Sequence, residues 1–237
     1  MSGSREWNSE DEDAFHRLLG DSQGLANITE KIVSGQLGDL LFEDANLYPG
    51  ATIMHLERWA ATEFAGGLLL LTQAHVANAS IPLLRGILET YSHVYWIREG
   101  STTGADTRAC RALCYELTIA RELRDAVTNA PPEVTTADGL PEAKRRVTNL
   151  EKLLQRQGCK FKGRDYTDVL PTIREIAKSE PDLEWLPEMV RATRMTSHQA
   201  QRDRIMRVAQ DGIVEVGAPL TPWERSVLLE WLTAIFG

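Results

Sequence analysis

One stretch predicted to be helical holds the residues best suited to chemistry. It reads Arg191-Ala-Thr-Arg194-Met-Thr-Ser197-His198, with Arg191 and His198 seven residues apart. Seven residues make two helical turns, so the two side chains are expected to share a face, with Arg194 close to the histidine. An imidazole acts as a general acid or base near neutral pH, and a guanidinium stabilises developing negative charge on a phosphate. The pair predicts metal-free cleavage of RNA through attack by the 2′-hydroxyl; the alternative is an arginine-rich surface helix.

A second polar group lies on an otherwise apolar stretch. Arg85, Glu89 and His93 are spaced four residues apart, which places them along one face of a helix. A structural ion pair between Arg85 and Glu89 is the favoured interpretation, and such a pair would order the site or the bundle.

A carboxylate–histidine metal site is the third interpretation. Two long predicted helices carry its candidate ligands, which are His55, Glu57, Glu63, His75, Glu89 and His93. Di-iron bundles use Glu-x-x-His with ligands three residues apart, whereas this chain has Glu89-x-x-x-His93 and His55-x-Glu57. We therefore expect no metal and no cofactor.

Several well-known motifs are missing from the sequence. It contains no Gly-x-x-x-x-Gly-Lys, Gly-x-Gly-x-x-Gly, His-Glu-x-x-His or Gly-x-Ser-x-Gly. Their absence argues against the common nucleotide-binding, zinc-protease and hydrolase classes.

Hydrophobic spacing of three and four residues predicts that helices position all of these residues. The predicted helical segments are 9–19, 22–41, 51–75, 77–98, 106–129, 141–157, 166–178, 182–208 and 221–236, with a loop at 46–50. Ser9 to Glu12 and Thr221 to Glu224 fit the capping-box pattern. We predict an all-α bundle of about seven or eight helices with an antiparallel core. We further predict a single domain over 1–237, with an acidic helical N-terminal region at 1–50 and a flexible loop at 131–141.

Charge is spread unevenly along the chain. The formal net charge is −8, yet the range 144–164 has eight basic residues against one acidic residue. The range 191–210 has five arginines against one aspartate. Such clusters favour a basic face for nucleic acid, and the solvated surface of ordinary helices is the alternative. The predicted contacts are Lys144, Arg145, Arg146, Lys152 and Arg202.

Cysteine content and hydropathy predict a cytoplasmic protein. The three cysteines, Cys110, Cys114 and Cys159, are too few and odd in number for a disulfide framework, so buried thiols in a reducing compartment are expected. The longest strongly apolar run, Gly66–Leu71, is too short to cross a membrane, and the polar start of the chain is unlike a secretory signal.

Two of these motifs resemble those of a known superfamily. The helix Ile81-Pro-Leu-Leu-Arg-Gly-Ile-Leu-Glu89, followed by Met195-Thr-Ser-His198, is similar to a group of bacterial helical proteins that resembles the HEPN superfamily (higher eukaryotes and prokaryotes nucleotide-binding). Many HEPN proteins are dimeric, metal-independent ribonucleases of toxin–antitoxin and phage-defence systems. Their catalytic motif is Arg, four to six residues, then His, and the six residues between Arg191 and His198 match it.

The resemblance implies a role for each of these residues. His198 would be the general acid/base, Arg191 would stabilise the transition state and Arg194 would contact phosphate. Arg85, Glu89 and Ser197 would support the site, two copies of which would meet in a homodimer. An antitoxin or another defence protein would be a partner. Ala192 replaces the polar residue that usually follows the arginine, which favours the alternative of a non-catalytic module that binds nucleic acid or a partner protein.

Overall fold

The computed structural model describes residues 8–35, 44–73, 77–131, 139–180, 183–197, 206–208, 214–216 and 222–236. In this part of the chain eight α-helices and one two-stranded sheet form. The helices are α1 (Ser9–Gly35), α2 (Tyr48–Leu71), α3 (Ser80–Arg98), α4 (Arg108–Asn129), α5 (Gly139–Arg156), α6 (Ile173–Ser179), α7 (Leu186–Ser197) and α8 (Pro222–Phe236). The strands are β1 (Met206–Val208) and β2 (Val214–Val216), which pair antiparallel. The predicted all-α bundle of about seven or eight helices is confirmed, with this small hairpin added to it.

The described residues fall into two compact units. Unit 1 draws on Met1–Glu30, Glu57–Tyr91 and Thr172–Gly237, and unit 2 on Lys31–Leu56 and Ser92–Pro171. Each unit has its own hydrophobic core. The single domain over 1–237 stays a prediction.

The core of unit 1 is built from the apolar faces of α1, α2, α3, α7 and α8. Its buried members include Phe15, Phe64, Leu68, Leu84, Leu88, Met189 and Leu228. On α2, Phe64, Leu68 and Leu71 recur at intervals of four and three residues, so one helical stripe is removed from water. That burial is the main stabilising contribution of these helices.

The core of unit 2 is organised by an antiparallel hairpin of α4 and α5. Helix α4 is capped by Thr107, whose side chain accepts a hydrogen bond from the backbone N–H of Cys110. Along α5, spacings of three and four residues turn one face inward, formed by Ala143, Val147, Leu150, Leu153 and Leu154. This face packs with Leu113 and Leu117 of α4 in the same cluster.

Helix α1 departs from the prediction at its start and in its middle. The cap is Asn8 rather than Ser9, because the Asn8 side chain accepts from the backbone N–H groups of Glu10 and Asp11. The predicted break between two helices near Gly20 is wrong, since one helix runs through it. Ser22 is buried and its hydroxyl donates to the carbonyl oxygen of Ala61, a tertiary contact that residue periodicity does not reveal.

Three other boundaries also differ from the predictions. The predicted loop at 46–50 is a 3-10 turn, Ala45–Leu47, that leads directly into α2, where a proline in the first turn is tolerated. The predicted helix at 166–178 is interrupted, because α6 starts only after Pro171, at a capping box of Thr172 and Glu175. The predicted flexible loop at 131–141 ends earlier, since α5 begins at Gly139; its residues 132–138 lie outside the described part.

The predicted helix at 182–208 is also shorter than expected. Its helical part ends at Ser197, and 206–208 form β1 instead. Met206 pairs with Val216 and Val208 with Val214. Three of these four residues are valines, whose β-branched side chains favour a strand. The residues between them, 198–205, lie outside the described part.

The prediction that the cysteines remain thiols is wrong for two of them. Cys110 and Cys159 form a disulfide, with their Cα atoms 5.4 Å apart. The sulfurs meet because the hairpin brings the start of α4 beside the residues that follow α5, across 49 positions of sequence. Cys114 is a buried free thiol, as expected. The cysteine argument for a reducing compartment therefore fails.

Candidate nucleic-acid interface

The solvent face of α5 carries a row of cations. We name Lys144, Arg145, Lys152 and Arg156 the basic stripe; all four are exposed, on the side opposite the buried apolar face. The exposed residues between them are the uncharged Thr148 and Gln155 and the acidic Glu151. At 1.5 Å per residue the stripe extends about 18 Å along the helix.

Most of the stripe is free to bind an anion. Arg145 forms an exposed ion pair with Glu142, a neighbour three residues away. Among the described residues, Lys144, Lys152 and Arg156 have no acidic partner. Glu151, at the margin of the stripe, is bound by Arg121 of α4. Glu142 and Glu151 thus pair with other arginines, and three cations of the stripe have no acidic partner among the described residues.

Arg146 differs from its basic neighbours on α5. Its guanidinium Nη2 donates to Glu116 Oε2 over 2.9 Å, and the Glu116 side chain is only 15% exposed. Thr52 Oγ1 donates to the other oxygen of this carboxylate at 3.2 Å. Burial, and secondarily the charge of Glu116, raises the pKa of nearby Tyr48 to about 12. Arg146 was predicted as a nucleic-acid contact, yet its guanidinium forms an ion pair with Glu116 where α5 packs against α4.

The residues after α5 continue the basic surface of unit 2. We name 157–171 the return segment; in it Lys162 and Arg164 are exposed and have no ion-pair partner among the described residues. Lys160 instead binds Asp106, which also accepts a two-pronged contact from Arg111. The hydrogen bond from Arg111, followed by the one from Lys160, lowers the pKa of Asp106 despite its partial burial.

Arg85 and Glu89 form the predicted ion pair within α3. Arg85 Nε donates to Glu89 Oε1 over 2.8 Å, and the side chains are 37% and 58% exposed. An ion pair this exposed contributes little to stability. His93 does not join them: it lies in unit 2, where its ring contacts Tyr166 and Tyr115 with centroids 4.9 and 5.3 Å away.

Sequence reasoning missed the contact that Gly86 makes in this region. A Cβ atom at Gly86 would lie 2.4 Å from Glu63 Oε1, so a side chain there would require this carboxylate of α2 to move. Glu63 Oε2 is buried without a hydrogen-bond partner. Burial raises the pKa of Glu63, the hydrogen bond with Trp59 opposes that rise, and the charge of Glu89 adds to it. The four-residue spacing of Trp59 and Glu63 was the sequence signal that could have revealed their hydrogen bond.

The predicted catalytic group is only partly described. Arg191 lies exposed on α7, where Nη1 donates to Glu188 Oε2 over 3.1 Å. Arg194 and Ser197 belong to the same helix. His198 and Arg202 lie outside the described residues.

The metal interpretation is not supported in the described ranges. No group of three or more His, Cys, Asp or Glu side chains gathers there as metal ligands. Of the six candidate ligands, His75 lies outside those ranges. Glu63 and Glu89 are close enough to influence one another, but Glu89 is occupied by Arg85.

Hydropathy and external comparison add two findings. Every helix in the described part of the chain is too short or too polar to cross a membrane. Comparisons with models of protein families, with curated proteins and with solved structures found no match to this chain.

Proposed function

We propose that this chain is a helical module that binds RNA through the basic stripe of α5. The observation that carries the proposal is the exposure of Lys144, Lys152 and Arg156 on one helix face with no acidic partner among the described residues. Cations held at successive turns attract a phosphate backbone, because each contact releases a condensed counterion. The exposed Lys162 and Arg164 extend the same basic surface.

The choice of RNA among polyanions rests on the HEPN-like resemblance. The same resemblance is the reason to expect a homodimer and an antitoxin or defence partner, whereas the cytoplasmic setting is expected from hydropathy. The uncharged Ala192 beside Arg191 favours binding without turnover.

A charge-reversal variant tests the basic stripe directly. We expect K144E/K152E/R156E to lose at least tenfold in affinity for a fluorescein-labelled RNA, measured by anisotropy at several salt concentrations. The wild-type affinity should fall with salt by a log–log slope of about −0.7 to −0.9 for each phosphate contacted, and the variant should show a flatter slope. Single-stranded and duplex RNAs of equal length are compared.

The matched control is R17E/R174E/K178E, which makes the same change of net charge at exposed positions of unit 1. It should bind within about twofold of wild type, since charges that do not contact the RNA act only through the screened field. Circular dichroism verifies that both variants are folded. Absence of RNA binding by wild type, or equal losses in the two variants, would reject the stripe as the binding surface.

Metal-independent RNA cleavage is a second candidate function. The observation that favours it is the unbroken helix Leu186–Ser197, which includes Arg191, Arg194 and Ser197 and ends directly before His198. The exposed Arg191–Glu188 pair is weak enough for the guanidinium to exchange its partner for a phosphate.

The decisive comparison is between wild type and His198→Ala in the presence of EDTA. We expect wild type to cut RNA and the variant to lose at least a hundredfold in rate, because general acid–base catalysis contributes about that much or more. His16→Ala, which changes an exposed histidine of α1, is the control and should cut like wild type. Intact RNA with wild type, or equal cutting by His198→Ala, would leave only the binding proposal.

A further inference from the structure

The Cys110–Cys159 disulfide lies at the open end of the α4–α5 hairpin. One sulfur belongs to the first turn of α4, and the other to the return segment just beyond α5. The bond therefore closes a loop that contains most of α4 and all of α5, including the basic stripe. Such a crosslink restricts the motion of everything within the loop.

Non-covalent contacts hold the same end together. The backbone N–H of Lys160 donates to the carbonyl oxygen of Ala105 at 2.8 Å. The Lys160 and Arg111 side chains, each adjacent in sequence to a bridged cysteine, both bind Asp106. We expect these contacts to guide the two sulfurs back together when the released segment closes, so that the bond can form again.

The return segment is also held by contacts beyond the disulfide, which include those of Arg121 with Gly163 and Asp165. Phe161 packs edge-on against Trp96, with ring centroids 5.7 Å apart, and the backbone N–H of Tyr166 donates to Thr118 Oγ1. Between these anchors the segment has little regular structure, and Gly158 and Gly163 have positive φ angles of 65° and 71°. The exposed Lys162 and Arg164 lie on this part of the segment.

The third cysteine is unsuited to interfere with the bond. Cys114 lies one turn after Cys110, and its Sγ donates to the carbonyl oxygen of Arg164 at 3.5 Å. Burial raises the pKa of its thiol to about 12, so it stays protonated, and a protonated thiol does not attack a disulfide. Exchange is thereby confined to Cys110 and Cys159.

We propose that the Cys110–Cys159 disulfide is a redox latch on the basic surface of unit 2. When the bond is oxidised, it fixes the end of α5 and the return segment for RNA. When the bond is reduced, it releases them. This proposal rests on the proposed RNA binding. The reductant is a dithiol, whose first thiolate attacks one cystine sulfur and releases the other cysteine as a thiolate. Its second thiol then attacks the reductant's sulfur in the mixed disulfide and releases the remaining cysteine. Two electrons and two protons pass to Cys110 and Cys159, and the dithiol becomes a disulfide.

The burial of both sulfurs makes the latch slow. Cys110 and Cys159 are fully buried, so a dithiol reaches them only after the return segment moves away. The rate of reduction is therefore expected to level off as dithiol concentration rises, at the rate of that opening. In a cytoplasmic protein, disulfides are usually of this transient, redox-sensing kind.

The test compares oxidised wild type, dithiothreitol-treated wild type and C110S/C159S, with C114S as the control that keeps the bond. Denatured oxidised wild type should contain one free thiol, and reduced wild type three. On reduction, hydrogen exchange should accelerate in the last turn of α5 and the return segment, while α4 stays protected. RNA affinity should fall by about fivefold or more, the lower end of usual coupling between linked sites. Saturating RNA should make the bond harder to reduce by the same factor, because linkage is reciprocal.

The latch would be overturned by three free thiols in the oxidised protein, by unchanged exchange in the return segment after reduction, or by global unfolding on reduction. Equal RNA affinity of the oxidised and reduced forms would also overturn it. If oxidised wild type binds no RNA, the RNA proposal fails instead, and the exchange measurement alone decides whether the bond controls the return segment. Dithiothreitol-treated wild type keeps the test valid should C110S/C159S not fold.

Discussion

At the scale of single residues, Glu63 is an ionisable group in a poorly compensated environment. Its carboxylate lies against Gly86, and one oxygen is buried without a hydrogen-bond partner. Desolvation raises its pKa in the folded protein, with a smaller contribution from Glu89. The protonated form is therefore the one that the fold favours, and the stability it contributes is lost as pH rises through the folded pKa.

The substitution Glu63→Gln should stabilise the protein at neutral pH. We expect a gain of about 1 kcal/mol in the free energy of unfolding at pH 7, the order of the cost of one uncompensated buried polar atom. The gain should shrink as pH falls toward 4.5, the ordinary pKa of a glutamate carboxyl, because the raised pKa of wild-type Glu63 favours its protonated form there. Urea unfolding across this pH range measures the difference.

Glu122→Gln is the control for this experiment. Glu122 is exposed on α4, so its substitution should change the free energy of unfolding little at any pH. If Glu63→Gln and Glu122→Gln show the same pH profile, the inferred desolvation of Glu63 is wrong.

At the scale of elements, the hairpin of α4 and α5 separates basic residues of one sequence cluster into different roles. Arg145 and Arg146 are neighbours in sequence, but successive positions on a helix are about 100° apart. Arg145 therefore faces solvent, whereas Arg146 reaches Glu116 across the helix interface. Charge counting over 144–164 predicted a basic surface, but it could not tell a surface cation from a packing one.

Arg146→Met should destabilise the protein without weakening RNA binding directly. Its loss leaves the mostly buried Glu116 carboxylate with only the Thr52 hydroxyl as a hydrogen-bond donor. We expect a cost of about 1.5–3 kcal/mol in the free energy of unfolding, the range for a hydrogen bond to a charged group. Urea denaturation gives this number, and RNA anisotropy is measured well below the unfolding midpoint.

Lys152→Met serves as the matched substitution on the outer face of the same helix. It should leave stability within about 0.5 kcal/mol of wild type and reduce RNA affinity instead. Equal stability of the two variants would show that the Arg146–Glu116 pair contributes nothing. A larger loss of RNA affinity in Arg146→Met than in Lys152→Met would restore Arg146 as an RNA contact.

At the scale of the whole molecule, the positions of the charges and of the disulfide are more informative than the overall amino-acid composition. The net charge of −8 argues against a polyanionic partner only if charge is spread evenly, and it is not. Unit 2 carries the basic stripe and the return segment, while unit 1 contains the acidic start of α1, where Asp11 is buried and contacts Ser226 Oγ at 3.4 Å. The disulfide also lies wholly within unit 2, so redox state and RNA contact concern the same unit.

The sequence by itself determined the helices and the ion pair of Arg85 and Glu89. These follow from local periodicity, since residues three and four apart meet on one face whatever the rest of the chain does. It also indicated the basic composition of α5. The continuity of α1 was less predictable, because Ser22, near the predicted break, makes its hydrogen bond to the distant Ala61.

Only the tertiary structure decided the contacts between residues far apart in sequence. The bond between Cys110 and Cys159, the pairing of Arg146 with Glu116 and the burial of Glu63 against Gly86 all join different helices or the segments beside them. Each depends on how two elements approach one another, which a one-dimensional pattern does not encode. Local spacing sets which face a residue occupies, and packing sets what that face meets.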